Sequence, residues 1–287
     1  MTLRRTARHE TCERENHRLF QVNPKVQRMR IAIVSDIHGN LPALEAAVKD
    51  IARRGVDCVV NLGDNLSGPL MPLETAQFLM AQRDWVHLAG NHERQLLTLG
   101  PGERGLSDAF AHSQLGVKEF AWLATLKPVH RLSREVLLCH GTPTSDIEYF
   151  LETVEPGNFR AANAAEVDAR LGDVGAEVEL IACGHTHVPR VVRASSGQLV
   201  VNPGSVGLQA YSDVRPYPHV VETGAPDARY AVVERVGGEW ISTLVSVPYG
   251  FGEMAALAVG RKRTDWFRAL STGCLAPEAT RRIDECC

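Results

Sequence analysis

The chain has 287 residues, 44% of them hydrophobic, and a formal net charge of −3. That length suffices for one large α/β domain with a sizeable core, and the slight acidity offers no polyanion-binding surface. No apolar run reaches the roughly 18 residues of a membrane span, and residues 1–28 lack the apolar stretch of a signal peptide.

Seven cysteines, at positions 12, 58, 139, 183, 274, 286 and 287, form no CxxC pair. An odd count without a secretory signal argues for a reducing, cytoplasmic compartment. Cys58, Cys139 and Cys183 fall in predicted strands and are read as small core fillers rather than metal ligands. Cys286 and Cys287 are placed on a tail and assigned nothing.

Residues 1–28 are read as a mobile extension or an over-called start, since Met29 stands directly before the first strand. The first third then reads as βαβαβ. A strand at 30–35 leads to a helix at 41–54, where Asn40 can cap and Pro42 suits the first turn. Leu44, Ala47, Val48 and Ile51 give it an apolar stripe at helical spacing. A strand at 58–62, a helix at 73–82 and a strand at 85–89 follow, which implies a largely parallel sheet. Helical pieces are predicted at 93–99 and 107–126. Strands at 129–132 and 135–139 form a hairpin. A helix at 161–171 precedes strands at 178–182, 188–194 and 198–201. Strands at 230–236 and 239–245 pair across Gly237-Gly238. This late, mostly antiparallel meander is expected to build a second sheet, and 250–270 to close the fold as helix. No internal repeat appears.

Five short polar blocks stand at predicted strand exits: Asp36-Ile37-His38, Gly63-Asp64, Gly90-Asn91-His92-Glu93, His140-Gly141 and Gly184-His185-Thr186-His187. In open α/β sheets, ligands bind beyond the carboxyl ends of the strands, so the blocks should converge on one crevice. Two carboxylates, an amide oxygen and four imidazoles meeting there make a metal centre. Residues i and i+2 of an extended segment point to the same side, so the pairs Asp36/His38 and His185/His187 are each expected to offer two ligands. Nitrogen and oxygen ligands without thiolate suit Mn, Fe, Co, Ni or Zn alike. His87, His112, His130 and His219 lack any such motif and are read as core or surface residues.

These blocks, with the Asn202-Pro203-Gly204-Ser205 turn, resemble the calcineurin-like metallophosphoesterases, and within them the bacterial branch of small phosphodiesterases and phosphatases. The likeness runs from residue 31 to about residue 205. It implies two facing mixed β-sheets flanked by helices, a four-layer α/β/β/α sandwich with a dinuclear site at the strand C-terminal ends. The phosphoesterase domain is accordingly placed at 29–270, with a tail at 271–287. By the same resemblance, one divalent ion takes Asp36, His38, Asp64 and His187. The other takes Asp64, Asn91, His140 and His185, with Asp64 shared. A hydroxide held between the ions would attack phosphorus in line. His92 would stabilise the transition state and protonate the leaving oxygen, since its neighbour Asn91 is the ligand and its own side chain should face substrate. Glu93 either hydrogen-bonds a ligand histidine or begins a helix. Arg94 and Arg215 are candidates for a substrate phosphate. The segment 208–227, with Tyr211 and Tyr217, is either a substrate cover or a connector.

Protein Ser/Thr phosphatases of this kind carry an Asp-Arg pair where Ser67 and Gly68 stand here. A phosphoprotein phosphatase is therefore the alternative, and hydrolysis of small-molecule phosphate mono- or diesters the expectation. Nucleotides and dinucleoside polyphosphates are substrates suggested by resemblance alone. A catalytically inactive binding scaffold is the other rival, and it conflicts with the presence of all eight site positions. No membrane or nucleic-acid partner is expected, and the oligomeric state is left open.

Overall fold

Side-chain alternation in the first strand sets the layering. Ile31 and Ile33 pack into one core, and Ala32 and Val34 into another on the opposite face, as the two-residue period of a strand requires. The computed structural model describes residues 29–275. The proposed N-terminal extension with Cys12, and residues 276–287 with Cys286 and Cys287, lie outside the described residues.

The first half runs β1 (Arg30–Val34), α1 (Leu41–Ala52), β2 (Cys58–Asn61), α2 (Pro72–Ala81), β3 (Val86–His87), α3 (Asn91–Thr98), α4 (Leu106–Gln114), α5 (Val117–Leu123), β4 (Val129–Arg131) and β5 (Val136–Cys139). It continues with β6 (Glu152–Glu155), β7 (Asn158–Ala161), α6 (Ala164–Leu171), β8 (Leu180–Ala182), β9 (Arg190–Arg193) and β10 (Leu199–Asn202). The chain ends in β11 (Ala210–Asp213), β12 (His219–Glu222), β13 (Ala228–Val236), β14 (Glu239–Val247), α7 (Phe251–Gly260) and α8 (Thr264–Thr272).

Two five-stranded mixed sheets face each other, in the orders β14-β13-β1-β2-β3 and β4-β5-β8-β10-β9. Between them lie Ile31, Ile33, Val60 and Leu62 from one sheet and Val136, Leu138, Leu180 and Val201 from the other. Full burial of each such side chain contributes about 1.5–3 kcal/mol, so a truncation such as Leu138→Ala costs about 2–5 kcal/mol. Outside the first sheet, α1 buries Leu44, Ala47 and Ile51 against Ala32, Val34 and Tyr230. Outside the second, Val167 and Leu171 of α6 pack on Leu137, Cys139 and Ile181. The four layers follow from these two alternations. Cys139 and Cys183 belong to that outer core, as filler.

Asn40 caps α1 through its side-chain oxygen, which accepts from the Ala43 N–H at 3.3 Å. Four expectations change. The hairpin β13–β14 joins the first sheet, antiparallel to β1 with Ile31 opposite Val233, rather than building the second. Both faces of β13 carry core residues, Ala231 and Val233 toward the second sheet and Ala228, Tyr230 and Val232 toward α1, because the strand lies between those two layers. The second sheet is not mostly antiparallel, because β5, β8 and β10 run parallel. The predicted helix at 107–126 is two helices, because Glu119 turns back to accept from the Gly116 N–H at 2.9 Å and starts a new one. The helix predicted from 161 begins at Ala164, capped by Asn163, behind a β6–β7 hairpin that the sequence reading missed.

Candidate metal centre

Each polar block leaves its strand at one shared edge of the sandwich. Main-chain bonds tie the exits together: Asp36 N–H to Gly63 C=O at 3.0 Å, His38 N–H to Asp64 C=O at 3.0 Å and Gly184 N–H to His140 C=O at 2.7 Å. The His140 ring bonds Leu62 C=O at 2.9 Å and so joins the two sheets. Asn202 and Ser205, from the turn after β10, brace the blocks from below. Asn202 donates to Gly184 C=O at 2.8 Å, and Ser205 to Asp36 C=O at 2.7 Å.

Asp36, His38, Asp64, His185 and His187 all have positive φ, between 51° and 68°, and Lys262 is the sixth such non-glycine among the described residues. Left-handed backbone costs a branched or bulky residue about 1–3 kcal/mol. Its concentration here shows that the fold bends these exits to aim side chains. The expected i, i+2 geometry of an extended segment is therefore not what pairs them. Asp36, His38 and His187 bring ligand atoms within 4.8 Å of one another, and Asp64, His140 and His185 form a second such group. His185 and His187 thus serve different groups, as tight turns allow and a flat strand does not. Neither group contains a cysteine.

Hydrogen bonds fix the rings. His38 Nδ1 bonds Ser67 C=O at 2.8 Å, His187 Nδ1 bonds Leu208 C=O at 2.7 Å, and His185 Nε2 bonds Ile147 C=O at 3.2 Å. A carbonyl only accepts, so those nitrogens carry the proton and the opposite nitrogens turn lone pairs inward. His38 Nε2 and His187 Nε2 face each other at 3.1 Å. His140 Nε2 lies 3.2 Å from both Asn91 Oδ1 and Asp64 Oδ2. Buried Asp36 Oδ1 has no hydrogen-bond partner and stands 3.4 Å from His187 Nε2. Acceptors facing acceptors in a buried cluster is a donor set that fits cations.

The electrostatics agree at His38 and His185, while His140 is drawn into an ion pair with Asp64. Burial, reinforced by His187, holds His38 down to about 3, and burial with His140 holds His185 down to about 4, so both rings are neutral with a lone pair free. Burial opposes a charge on His140 too, but the Asp64 carboxylate beside it overcomes this and raises the ring to about 10. Burial would also lift Asp64, yet the surrounding histidines hold its carboxyl well below the usual range.

The N-terminus of α3 grips Asp64. The His92 N–H donates to Asp64 Oδ1 at 3.0 Å, which the positive end of a helix favours. A Cβ on Gly90 would stand 2.2 Å from that oxygen, so only glycine permits the approach. Glu93 hydrogen-bonds no histidine. It is fully buried and accepts from the main-chain N–H groups of Asp64, Asn65 and Gly90 at 2.8–2.9 Å. Of the two expectations for it, the histidine partner fails and the helix start holds: Glu93 begins α3 and also holds the Asp64 loop.

The His92 side chain lines the cleft and bonds Asp108 Oδ1 through Nδ1 at 2.8 Å. Burial would lower this ring, but Asp64 and Asp108 outweigh it and push it up to about 9. Asp108, in the first turn of α4, escaped the sequence reading because an aspartate there reads as an ordinary helix-end charge.

A cleft of about 370 Å³ opens over both groups. Tyr211 packs edge-on against His187, Tyr149 against His185 and Trp266 against His38, at centroid distances of 4.7, 5.1 and 6.2 Å. Tyr149 Oη reaches Tyr211 Oη at 2.8 Å and His219 Nε2 at 3.0 Å. Segment 208–227 is therefore not a loose connector: it carries the β11–β12 hairpin, whose first strand forms one wall of the cleft. Arg94 and Arg215 do not line the cleft, and Arg94 is forked onto Asp146 at 2.7 and 3.0 Å.

A four-layer sandwich with acidic, amide and imidazole groups clustered at one edge, and His92 beside them in the cleft, has the layout of a phosphoric ester hydrolase. Residues 29–223 match the family model for the calcineurin-like phosphoesterase superfamily domain, and the chain belongs to that superfamily. It is 28% identical over 191 residues to an uncharacterised protein of Methanocaldococcus jannaschii, covering 62% of this chain and 70% of that one. A metallophosphoesterase structure from Sphaerobacter thermophilus superimposes with a TM-score of 0.61 at 25% identity, covering 90% of this chain and 98% of the other. A hypothetical protein from Pyrococcus horikoshii shares the fold with a TM-score of 0.65 at 16% identity, covering 86% and 100%.

Proposed function

We propose that the protein hydrolyses small-molecule phosphate mono- or diesters with two divalent cations held at this edge. Asp36, His38 and His187 would hold one ion and Asn91, His140 and His185 the other, with the Asp64 carboxylate shared. The cations, drawn from Mn, Fe, Co, Ni or Zn, would neutralise phosphoryl oxygens and activate water at neutral pH. The chain's own side chains do the rest. His92, locked by Asp108 at 2.8 Å, keeps Nε2 as the ring nitrogen for the leaving oxygen, to which it delivers a proton. Glu93 and the α3 N-terminus hold Asp64 against recoil. Tyr149, Tyr211 and Trp266 wall the cleft with aromatic surface and limit water around the ester. Free Cys58, Cys139, Cys183 and Cys274 fit a reducing, cytoplasmic setting, and no helix among the described residues is long and apolar enough to cross a membrane.

The observation that carries this reading is a histidine with a fixed tautomer in the same cleft as two clusters of inward lone pairs. The test is metal-stripped protein, reloaded with each cation in turn, assayed against aryl mono- and diesters, nucleotides and a phosphopeptide. Hydrolysis of the small esters that chelator abolishes supports the reading. Activity confined to the phosphopeptide would favour the phosphoprotein alternative, and no turnover with any cation would favour a binding scaffold.

A further inference from the structure

Arg263 is the one Lys or Arg side chain that lines the cleft among the described residues. It lies between α7 and α8, beyond residue 223 where the family match ends. Its guanidinium is held rather than free. Nε and Nη2 fork onto the Asp265 carboxylate at 2.9 and 2.6 Å, and Nη1 donates to Ser107 Oγ at 3.0 Å. Of five N–H donors, those bonds use three, and one remains on each of Nη1 and Nη2.

Ser107 adjoins Asp108, and Asp108 holds His92. The first turn of α4 therefore carries both the partner of the acid and the partner of the arginine, which sets Arg263 on the leaving-group side of the cleft. Trp266 completes the placement. The Arg263 guanidinium carbon lies 5.6 Å from its ring centre, and its indole edge would stand 2.7 Å from a Cβ on Gly68. A larger residue at position 68 would press on the His38 C=O, 2.6 Å from such a Cβ, as well as on Trp266.

We infer that Arg263 binds an anionic group on the leaving half of the substrate, so that the protein prefers phosphate esters whose leaving group itself bears a carboxylate or phosphate. This rests on the phosphoesterase reading above. A preoriented fork with two spare donors suits such an oxyanion better than a flexible lysine does. The Asp265 partner fixes the fork, and because Asp265 and Asp213 both line the cleft, an anion gains there only where it reaches the two spare donors.

The experiment compares phenyl phosphate with its 3- and 4-carboxy derivatives on metal-loaded enzyme. The same compounds as uncleavable phosphonates are titrated by calorimetry. The wild type should favour at least one carboxylated compound in both kcat/KM and binding. In Arg263→Gln that preference should fall by roughly tenfold or more, the scale of one charge-assisted hydrogen bond, and Arg263→Lys should retain an intermediate preference. A wild type without preference, or a loss in Arg263→Gln that is equal across all compounds, overturns the inference and leaves Arg263 a strut between α4 and α8. Failure of the wild type to cleave any of the three with any cation would instead count against the phosphoesterase reading.

Discussion

His92 Nδ1 and Asp108 Oδ1 meet at 2.8 Å, joining the first turn of α3 to the first turn of α4 across the mouth of the metal cleft. A buried carboxylate bonded to one imidazole nitrogen fixes the tautomer and stabilises the charged ring. Asp108 does not line the cleft and, on the proposed function, would act through His92 as a positioning residue.

His92→Ala should leave metal content near that of the wild type while lowering kcat on the order of 10²-fold or more. The loss should be smaller for a nitrophenyl ester, whose leaving group needs little protonation, than for an alkyl or nucleoside ester. Asp108→Asn keeps the shape but removes the charge, and should reproduce that leaving-group dependence at smaller size, with KM little changed. Rate measurements over a series of leaving groups decide this. A loss uniform across leaving groups, or loss of metal from His92→Ala, would remove the acid role.

Elemental analysis of loaded protein should give about two divalent ions per chain. Asp64→Asn should release more metal than Asp36→Asn, because Asp64 is assigned to both ions and Asp36 to one. Equal losses would mean that Asp64 belongs to one cluster only.

Gly90→Ala tests how tightly the α3 N-terminus is packed on the metal centre. With a Cβ aimed at Asp64 Oδ1 from 2.2 Å, the loop or the helix must move. The expected result is lower metal affinity and a destabilisation of about 1–3 kcal/mol, read by calorimetric titration and denaturant unfolding. A variant with unchanged metal binding would show that the contact yields freely.

Much of this was legible in the sequence for a physical reason. The polar blocks are local in sequence and stand where apolar runs stop, so Asp36, Asp64, Asn91 and His140 could be read at strand exits without knowing the fold. Sheet membership was not legible, because β13 carries the same pattern whether it pairs with β1 or with a later strand, and its pairing is made with β1, far away in the chain. Asp108 and Arg263 were missed because their meaning arises from contacts 16 and 156 residues away in the chain. The same holds for Trp266 over Gly68. The i, i+2 argument at Asp36/His38 and His185/His187 does not hold, since left-handed turns place those side chains.

A final prediction concerns acid stability away from the site. Tyr230 Oη donates to Asp50 Oδ2 at 2.6 Å, tying α1 to β13, and Arg53 and Arg54 add bonds to the same carboxylate at 2.8 and 2.7 Å. The Tyr230 hydrogen bond, with the two arginines, lowers Asp50 to about 2. A depressed folded-state pKa contributes stability above the unfolded value, about 3.9, and that contribution is lost as pH falls from there through about 2. Tyr230→Phe removes the leading donor, so Asp50 should titrate higher in the folded variant. The variant should be less stable than the wild type at pH 7, and by the same margin down to about pH 5. The part of the gap that depends on Asp50 being charged should close as pH drops toward 2. Urea unfolding of both proteins at pH 7, 5, 4 and 3 provides the measurement. A stability difference that widens on acidification would mean that Asp50 is not held in its charged form by Tyr230.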